Sequence, residues 1–159
     1  MQTPSYFPAL DTAPEIAAFQ AVLASGGLDA ALQFLNRRTE FRYTAVYRLE
    51  GAMMRNIHIY DRKSEDTQQL QAVPLGDSFC QFVMKEGGFS TADSASDERL
   101  AGHVYQGVLN AYFGLPLAHA PSQELYGTFC HFDFEAKRIA EPEIPFLEAA
   151  APLLMPYLK

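Results

Sequence analysis

The sequence predicts an α/β (α+β) fold in which helices pack on a largely antiparallel sheet, and three observations lead to it. Apolar residues recur at helical spacing before residue 40, and from residue 41 the repeat changes to the alternation typical of strands. The strands come in consecutive pairs joined by short turns, which favours antiparallel pairing. The predicted order is α-α-β-β-β-α-β-α-β-β-α, in one domain of 159 residues.

Two amphipathic helices are predicted within residues 1–40. The first, APEIAAFQAVLA, carries apolar side chains at positions i, i+3 and i+7, and Gly26-Gly27 ends it. The second, LDAALQFLNRR, repeats this spacing, with Asp29 in its first turn and Arg37-Arg38 in its last, as the helix dipole favours. The two apolar stripes are Ile16, Phe19, Leu23 and Leu28, Leu32, Leu35.

Strands and shorter helices are predicted from residue 41 onward. FRYTAVYRLEG and AMMRNIHIYDRK form a hairpin that turns at Glu50-Gly51, and LQAVPLGD is a third, weaker strand. A helix over Ser78–Glu86, a short strand FSTADS and a helix through ERLAGHVYQGVL follow. AYFGLPLAHA and ELYGTFCHFDF form a second strand pair that turns at Pro121-Ser122. In PEIPFLEAAAPLLMPYLK, Pro152 and Pro156 should bend or end the last helix, because proline removes an i→i−4 hydrogen bond.

Composition narrows the classes of function. The 12 Lys and Arg against 19 Asp and Glu give a net charge of −7, which disfavours nucleic acid and anionic membranes as partners. No apolar run approaches the roughly 20 residues that span a bilayer, and MQTPSYFPAL lacks the features of a signal peptide. Two cysteines do not make a disulfide framework. We therefore expect a cytoplasmic protein of bacterial type.

Five motifs resemble those of GAF domains in their order and spacing. They are RYTAVYRL, VPLGDSFCQFV, TADSASDERL, AYFGLPL and LYGTFCHFD, and they are most similar to the bacterial sensory branch. The resemblance covers residues 41–159 as the GAF core and leaves residues 1–40 as flanking helices. It implies a central, mostly antiparallel sheet with the terminal helices on one face and a ligand pocket on the other. It implies no particular ligand or cofactor, so the cofactor stays unknown.

Cys80 decides between an enzyme and a binding module. Ser78 and Gln81 have the spacing of a capping box, which places Cys80 at the second helical position, where free N–H groups and the dipole favour a thiolate. Against this, its neighbours are apolar, and a thiol buried among them would be an inert small hydrophobe. We favour the inert thiol. The apolar neighbours are Phe79, Phe82, Val83 and Met84.

Two thiol chemistries are weighed beside it. The free methionine sulfoxide reductases are stand-alone GAF proteins with several cysteines, one of them near Cys80. The resemblance places their essential further cysteine in AYFGLPL, which has none, and this counts against a reductase. A reductase using Cys80 is kept as the alternative to the binding module. Cys130 and His131 are strand neighbours that point to opposite faces, which argues against a catalytic dyad. His131 and Asp133 share one face, as a functional pair or as polar residues covered by helices, and we favour the second.

The candidate ligand-binding residues are Cys80, Asp93, His103, Tyr105 and Tyr112, which the resemblance places around the pocket. A tyrosine or histidine on an apolar face is also a common core residue, and the acidic segment that includes Asp93 could instead cap the next helix. The sequence has no metal-ligand spacing and no glycine-rich phosphate loop, so no metal site is predicted. The expected ligand is a neutral or weakly polar small molecule, or none.

Together these features predict a non-enzymatic sensory module that binds a small molecule or a partner in bacterial signalling. We expect a homodimer through the N- and C-terminal helices, and we expect Cys80 and Cys130 to form no disulfide. One alternative is the thiol-dependent reductase. The other is a structural or dimerisation module whose pocket is filled by its own side chains.

Overall fold

The structure is a computed structural model that describes residues 12–63 and 72–158. Its strands are β1 (Tyr43–Glu50), β2 (Met53–Asp61), β3 (Val73–Pro74), β4 (Phe89–Thr91), β5 (Ala111–Ala118) and β6 (Leu125–Asp133). Its α-helices are α1 (Ala13–Arg37), α2 (Cys80–Glu86) and α3 (Glu143–Ala150). Short 3₁₀ helices cover Leu75–Asp77, Ser94–Ser96, Glu98–Leu100 and Ala151–Tyr157. The strands form one six-stranded antiparallel sheet in the order β3-β2-β1-β6-β5-β4, which confirms the predicted α+β fold.

Two hairpins build the sheet, and both were predicted. β1 turns into β2 at Gly51, whose φ of 63° is left-handed and suits glycine. β5 and β6 pair from Ala111 opposite Asp133 to the turn region of residues 119–124. β1 and β6 then join the hairpins at the centre, where a Cβ atom on Gly127 would lie 1.9 Å from the Tyr47 carbonyl oxygen. Only glycine allows this close approach of the two central strands.

The terminal helices cover one face of the sheet, as expected. Phe19 and Leu32 of α1 pack with Phe146 and Leu147 of α3 against Phe129 of β6, and all five side chains are buried. The non-helical Gly27 kinks α1, so α1 consists of the two helical segments predicted around Gly26-Gly27. The predicted effect of proline is also confirmed, because α3 ends at Ala150 and the chain continues as a 3₁₀ helix.

The opposite face of the sheet holds a second apolar cluster. Ala45 of β1 and Cys130 and Phe132 of β6 lie there beneath Val83 of α2 and Leu100 of the 3₁₀ turn. Strand β6 therefore carries buried side chains on both faces, from Tyr126 to Asp133.

Three local predictions are wrong. The helix expected through ERLAGHVYQGVL is only the 3₁₀ turn Glu98–Leu100, because Gly102 and Gly107 adopt left-handed φ values of 82° and 78° that interrupt a right-handed helix. The capping box does not form: α2 begins at Cys80 and has Phe79 as its N-cap residue. The third strand is only the two residues of β3, and the start of LQAVPLGD, residues 70–71, lies outside the described residues.

Among the described residues, α1 is long and apolar enough to cross a membrane by length and composition alone. The sequence did not predict a helix of this kind, because its continuous apolar runs are short. The criterion is weak, because the core helix of a soluble protein meets it too. In this structure Phe19, Leu32 and Leu35 of α1 are buried against the sheet and α3.

Candidate functional site

A cavity of about 140 Å³ lies between the sheet, the start of α2 and the loop of residues 101–110. Its wall is mainly aromatic and aliphatic, with Tyr47, Phe79, Tyr105, Leu109, Tyr112 and Phe132 among the lining residues. The exposed side chains of Val108 and Phe134 also line it and mark its mouth. No charged side chain lines the cavity among the described residues. We call it the α2 cavity.

Helix α2 places Cys80 in the wall of this cavity. Cys80 is the first helical residue and is 4% exposed. Its Sγ atom lies 3.3 Å from the Thr128 hydroxyl and 3.5 Å from the Tyr112 hydroxyl, within hydrogen-bonding distance of both. Burial raises the pKa of the Cys80 thiol above its ordinary value of 9.0, although these two hydrogen bonds act in the opposite direction. At neutral pH Cys80 is therefore a neutral thiol.

Ser78 does not assist Cys80 in the way the capping-box prediction required. The Ser78 hydroxyl donates to the Leu75 carbonyl at 2.9 Å. The Gln81 side-chain amide donates to the carbonyls of Gly76 and Ser78, at 2.8 and 3.0 Å. These bonds fix the turn that leads into α2 but leave no side-chain cap on the helix.

Cys130 lies on β6 beside the same cavity. It is fully buried, and burial raises the pKa of its thiol well above 9.0. Both cysteines are free thiols, as expected. His131, the next residue, faces the terminal helices, where its ring packs on Phe41 and Phe129 and its Nδ1 lies 2.7 Å from the Thr44 hydroxyl. Cys130 and His131 therefore form no dyad, as β-strand geometry predicted.

Three tyrosines contribute hydroxyl groups to the cavity wall. Tyr112 of β5 lies across Gly114, where an added Cβ atom would come within 2.6 Å of the Tyr112 hydroxyl. Burial raises the pKa of Tyr112 well above 10.0, so it stays a neutral phenol. Tyr47 of β1 and Tyr105 of the 101–110 loop complete the set. Neither of their hydroxyls has a hydrogen-bond partner among the described residues.

The structure brings together three of the five predicted binding residues. Cys80, Tyr105 and Tyr112 all line the α2 cavity. His103 lies behind the wall: its ring packs on Phe79 with centroids 4.8 Å apart, and its Nδ1 accepts from the Tyr105 backbone N–H at 3.1 Å. The role of Cys80, Tyr105 and Tyr112 in binding stays a prediction.

Asp93 lies elsewhere, in an open groove of about 640 Å³ between residues 90–99 and 137–144. In the same groove Asp97 caps the 3₁₀ turn by accepting from the Arg99 N–H at 3.0 Å, which is the capping role weighed for this acidic segment. The hydrogen bond from the Arg99 side chain is the largest cause that lowers the pKa of Asp97 to about 2. Within the described residues, no group of three His, Cys, Asp or Glu side chains could hold a metal ion.

Tyr47 also lines the α2 cavity, although it was not among the predicted binding residues. Its signal was present, because Tyr43, Ala45 and Tyr47 alternate along β1 and so share one face. Ala45 pairs with Cys130, which places that face on the cavity side.

Several solved structures are similar to this one. Free methionine-R-sulfoxide reductase from Neisseria meningitidis, in complex with its substrate, has a TM-score of 0.71 at 13% identity, covering 99% of this chain and 93% of that chain. The GAF domain of an Acinetobacter phosphoenolpyruvate-protein phosphotransferase has a TM-score of 0.70 at 14% identity, covering 96% and 93%. The chromophore-binding domain of Stigmatella aurantiaca phytochrome P1 has a TM-score of 0.68 at 10% identity, covering 96% of this chain and 60% of that one.

No family model matches the sequence, and a search of curated proteins finds no significant match. At identities this low the structural likeness shows the fold alone. That fold is GAF-like: a curled six-stranded antiparallel sheet with N- and C-terminal helices, as the sequence motifs implied.

Proposed function

We propose that this protein is a non-enzymatic, GAF-type sensory module that binds a small molecule in the α2 cavity. The observation that carries the proposal is the cavity itself, an apolar space with an uncharged wall and a few hydroxyl and thiol groups. Small-molecule sites combine apolar surface for affinity with sparse polar groups for orientation. One of the similar structures is a chromophore-binding domain of a phytochrome, which supports a ligand-binding role for this fold.

The state of the two thiols supports a binding role over catalysis. A nucleophilic cysteine needs a lowered pKa and access to its substrate. Burial raises the pKa of both Cys80 and Cys130, and their side chains are 4% and 0% exposed. His131, on the other face of the sheet, cannot act as a base for either thiol.

A blocking substitution at the cavity mouth tests the proposal. A small-molecule library is screened by thermal shift, since a ligand that binds only the folded state raises its stability with ligand concentration. Val108, which is 54% exposed and lines the cavity, is changed to Trp to fill the mouth. Val104→Trp is the matched control, because Val104 is 62% exposed and is not a lining residue.

We expect ligands that stabilise the wild type and Val104→Trp but not Val108→Trp. Ligands that stabilise all three proteins equally would place the binding site elsewhere. A library that stabilises none of them would favour the structural module with a filled pocket.

A methionine sulfoxide reductase is the second candidate, because one of the similar structures is such an enzyme and because Cys80 lies in the α2 cavity. It is tested by incubating the protein with free methionine-R-sulfoxide and dithiothreitol as reductant. We expect no methionine above the background without protein. Turnover that disappears in Cys80→Ser would replace the binding module with the enzyme.

A further inference from the structure

We infer that the ligand of the α2 cavity is a small neutral molecule with a hydrogen-bond acceptor oxygen, such as a carbonyl, that the hydroxyls of Tyr47 and Tyr105 bind. This inference rests on the proposed function and names the class of ligand. Its three parts, size, charge and polar group, come from separate features of the cavity.

The volume of the α2 cavity limits the size of the ligand. A protein cavity of about 150 Å³ accommodates benzene, and the α2 cavity measures about 140 Å³. The enclosed part of the ligand is therefore about as large as one six-membered ring. Any larger part must extend through the mouth beside Val108 and Phe134.

The residues that line the α2 cavity limit the charge of the ligand. Moving an ionised group from water into an apolar site is costly unless an opposite charge meets it there. No Lys, Arg, His, Asp or Glu lines the cavity among the described residues. The two thiols and the Tyr112 phenol keep their protons, because burial raises the pKa of each. Neither a carboxylate nor an ammonium group would find its counter-charge in this wall.

The hydroxyls of Tyr47 and Tyr105 determine which polar group the ligand should carry. Two other hydroxyls of the wall are already engaged: the Ser78 hydroxyl donates to the Leu75 carbonyl, and the Tyr112 hydroxyl contacts the Cys80 sulfur. The hydroxyls of Tyr47 and Tyr105 have no partner among the described residues. A tyrosine hydroxyl donates one hydrogen bond, and neither of these two hydroxyl oxygens is fully buried, so both can donate into the cavity. A ligand oxygen in the cavity can therefore accept from them.

The two tyrosines also differ in how firmly they are held. Tyr47 is 8% exposed on the central strand β1. Burial, followed by the nearby thiols of Cys130 and Cys80 and the Tyr105 phenol, raises its pKa well above 10.0, so it remains a donor. Tyr105 is half-buried in the 101–110 loop. The ligand oxygen would thus bind between a fixed donor on the sheet and a donor on the loop.

An isosteric pair of probes tests the class. Acetophenone carries a carbonyl oxygen where α-methylstyrene carries a CH₂ group of similar shape, and benzoate adds a negative charge. Dissociation constants are measured by calorimetry for the wild type, Tyr47→Phe, Tyr105→Phe and the double variant. Each substitution removes one hydroxyl and keeps the ring, and circular dichroism checks that each variant is folded.

We expect acetophenone to bind the wild type about three- to hundredfold more tightly than α-methylstyrene, the range expected from one or two hydrogen bonds to neutral groups. This preference should shrink in each single variant and vanish in the double variant, while the affinity for α-methylstyrene stays the same. Benzoate should not bind measurably.

Three outcomes would overturn all or part of the inference. If Val108→Trp blocks both neutral probes but the wild type does not prefer acetophenone, the binding module stands and the donor role of the tyrosines falls. If benzoate binds as well as acetophenone, the neutral class falls. If neither these probes nor the library bind at all, the proposed function falls together with the inference.

Discussion

At the scale of single residues, burial decides the chemistry of the groups that looked reactive. Cys80 begins a helix, where free N–H groups favour a thiolate, yet desolvation is the largest influence and raises its pKa. His131 shows the same control in a base: burial, followed by the charge of Arg62, lowers its pKa to about 3. Both groups are neutral at pH 7 because they lie inside the protein.

The first prediction concerns the reactivity of the thiols. We expect Ellman's reagent at pH 8 to label Cys80 and Cys130 at least about tenfold more slowly in the native protein than in guanidinium chloride, because a buried protonated thiol is inert. A raised pKa in the folded state also means that the stability from these thiols is complete below 9.0, the ordinary value, and is lost as the pH rises through the folded-state values. Fast stoichiometric labelling of the native protein would contradict the prediction.

The second prediction concerns stability in mild acid. Below pH 6.5, the ordinary pKa of histidine, the unfolded chain binds a proton that the folded His131 does not accept until about pH 3. The free energy of unfolding should therefore fall on acidification, by about 2 kcal/mol from this residue between pH 7 and pH 5. Urea unfolding at both pH values should show a smaller loss in His131→Gln than in the wild type. His119→Gln is the control, because His119 is exposed; an equal loss in all three proteins would refute the role of His131.

At the scale of secondary structure elements, the sequence predicted the elements that have a regular side-chain pattern. It failed where the backbone conformation of single residues determines the structure. The alternation in β1, β2, β5 and β6 predicted both hairpins, and Gly26-Gly27 predicted the interruption of α1. Apolar spacing in ERLAGHVYQGVL indicated a helix, but the left-handed Gly102 and Gly107 prevent one. A glycine permits a left-handed φ but does not require one, so the two isolated glycines alone did not decide against a helix.

The candidate site shows the same division. Cys80, Tyr105 and Tyr112 were predicted from motifs and line one cavity. Asp93 was grouped with them because the resemblance placed the FSTADS strand beside the pocket, but the short β4 edge strand carries it to a different groove. Tyr47 comes from the first strand of the sheet, and only the pairing of β1 with β6 brings it to the cavity.

The third prediction tests how β5 packs against α2. A Cβ atom on Gly114 would meet the Tyr112 hydroxyl at 2.6 Å and the Val83 side chain at 2.7 Å. Gly114→Ala should therefore lower the free energy of unfolding by about 1–3 kcal/mol, as overpacking does in a close-packed interior. Gly76→Ala is the matched control: a Cβ atom there meets nothing within 4 Å, so its effect should stay within about 0.5 kcal/mol. Equal stabilities in urea unfolding would contradict this packing.

At the scale of the whole molecule, the two faces of the sheet are covered differently. The α2 cavity lies on one face, and α1, α3 and the final 3₁₀ helix lie on the other. The outer surface of α1 is rich in exposed alanines, at Ala17, Ala18, Ala21 and Ala24. Tyr157, 42% exposed, adds an aromatic ring at the end of the last helix.

The fourth prediction is a homodimer through these terminal helices. A specific interface should bury about 1,000 Å² or more, and the smooth alanine surface of α1 allows close helix packing. Light scattering at tens of micromolar should give twice the chain mass of 17.7 kDa. Ala21→Glu should give a monomer without loss of secondary structure, whereas Val104→Glu, outside the terminal helices, should not change the mass. A wild type of monomeric mass would exclude the dimer.

The alternation of side chains along β6 has a mechanical consequence. Cys130 and Phe132 belong to the layer beneath α2, while Phe129 and His131, attached to the same stretch of backbone, belong to the layer beneath the terminal helices. The partition between the two layers is thus a single peptide chain thick. Close-packed interiors transmit small displacements, so a bound molecule that shifts this strand by a fraction of an ångström moves the side chains of both layers together. A displacement on one face of the sheet therefore reaches the other face through neighbouring residues of one strand.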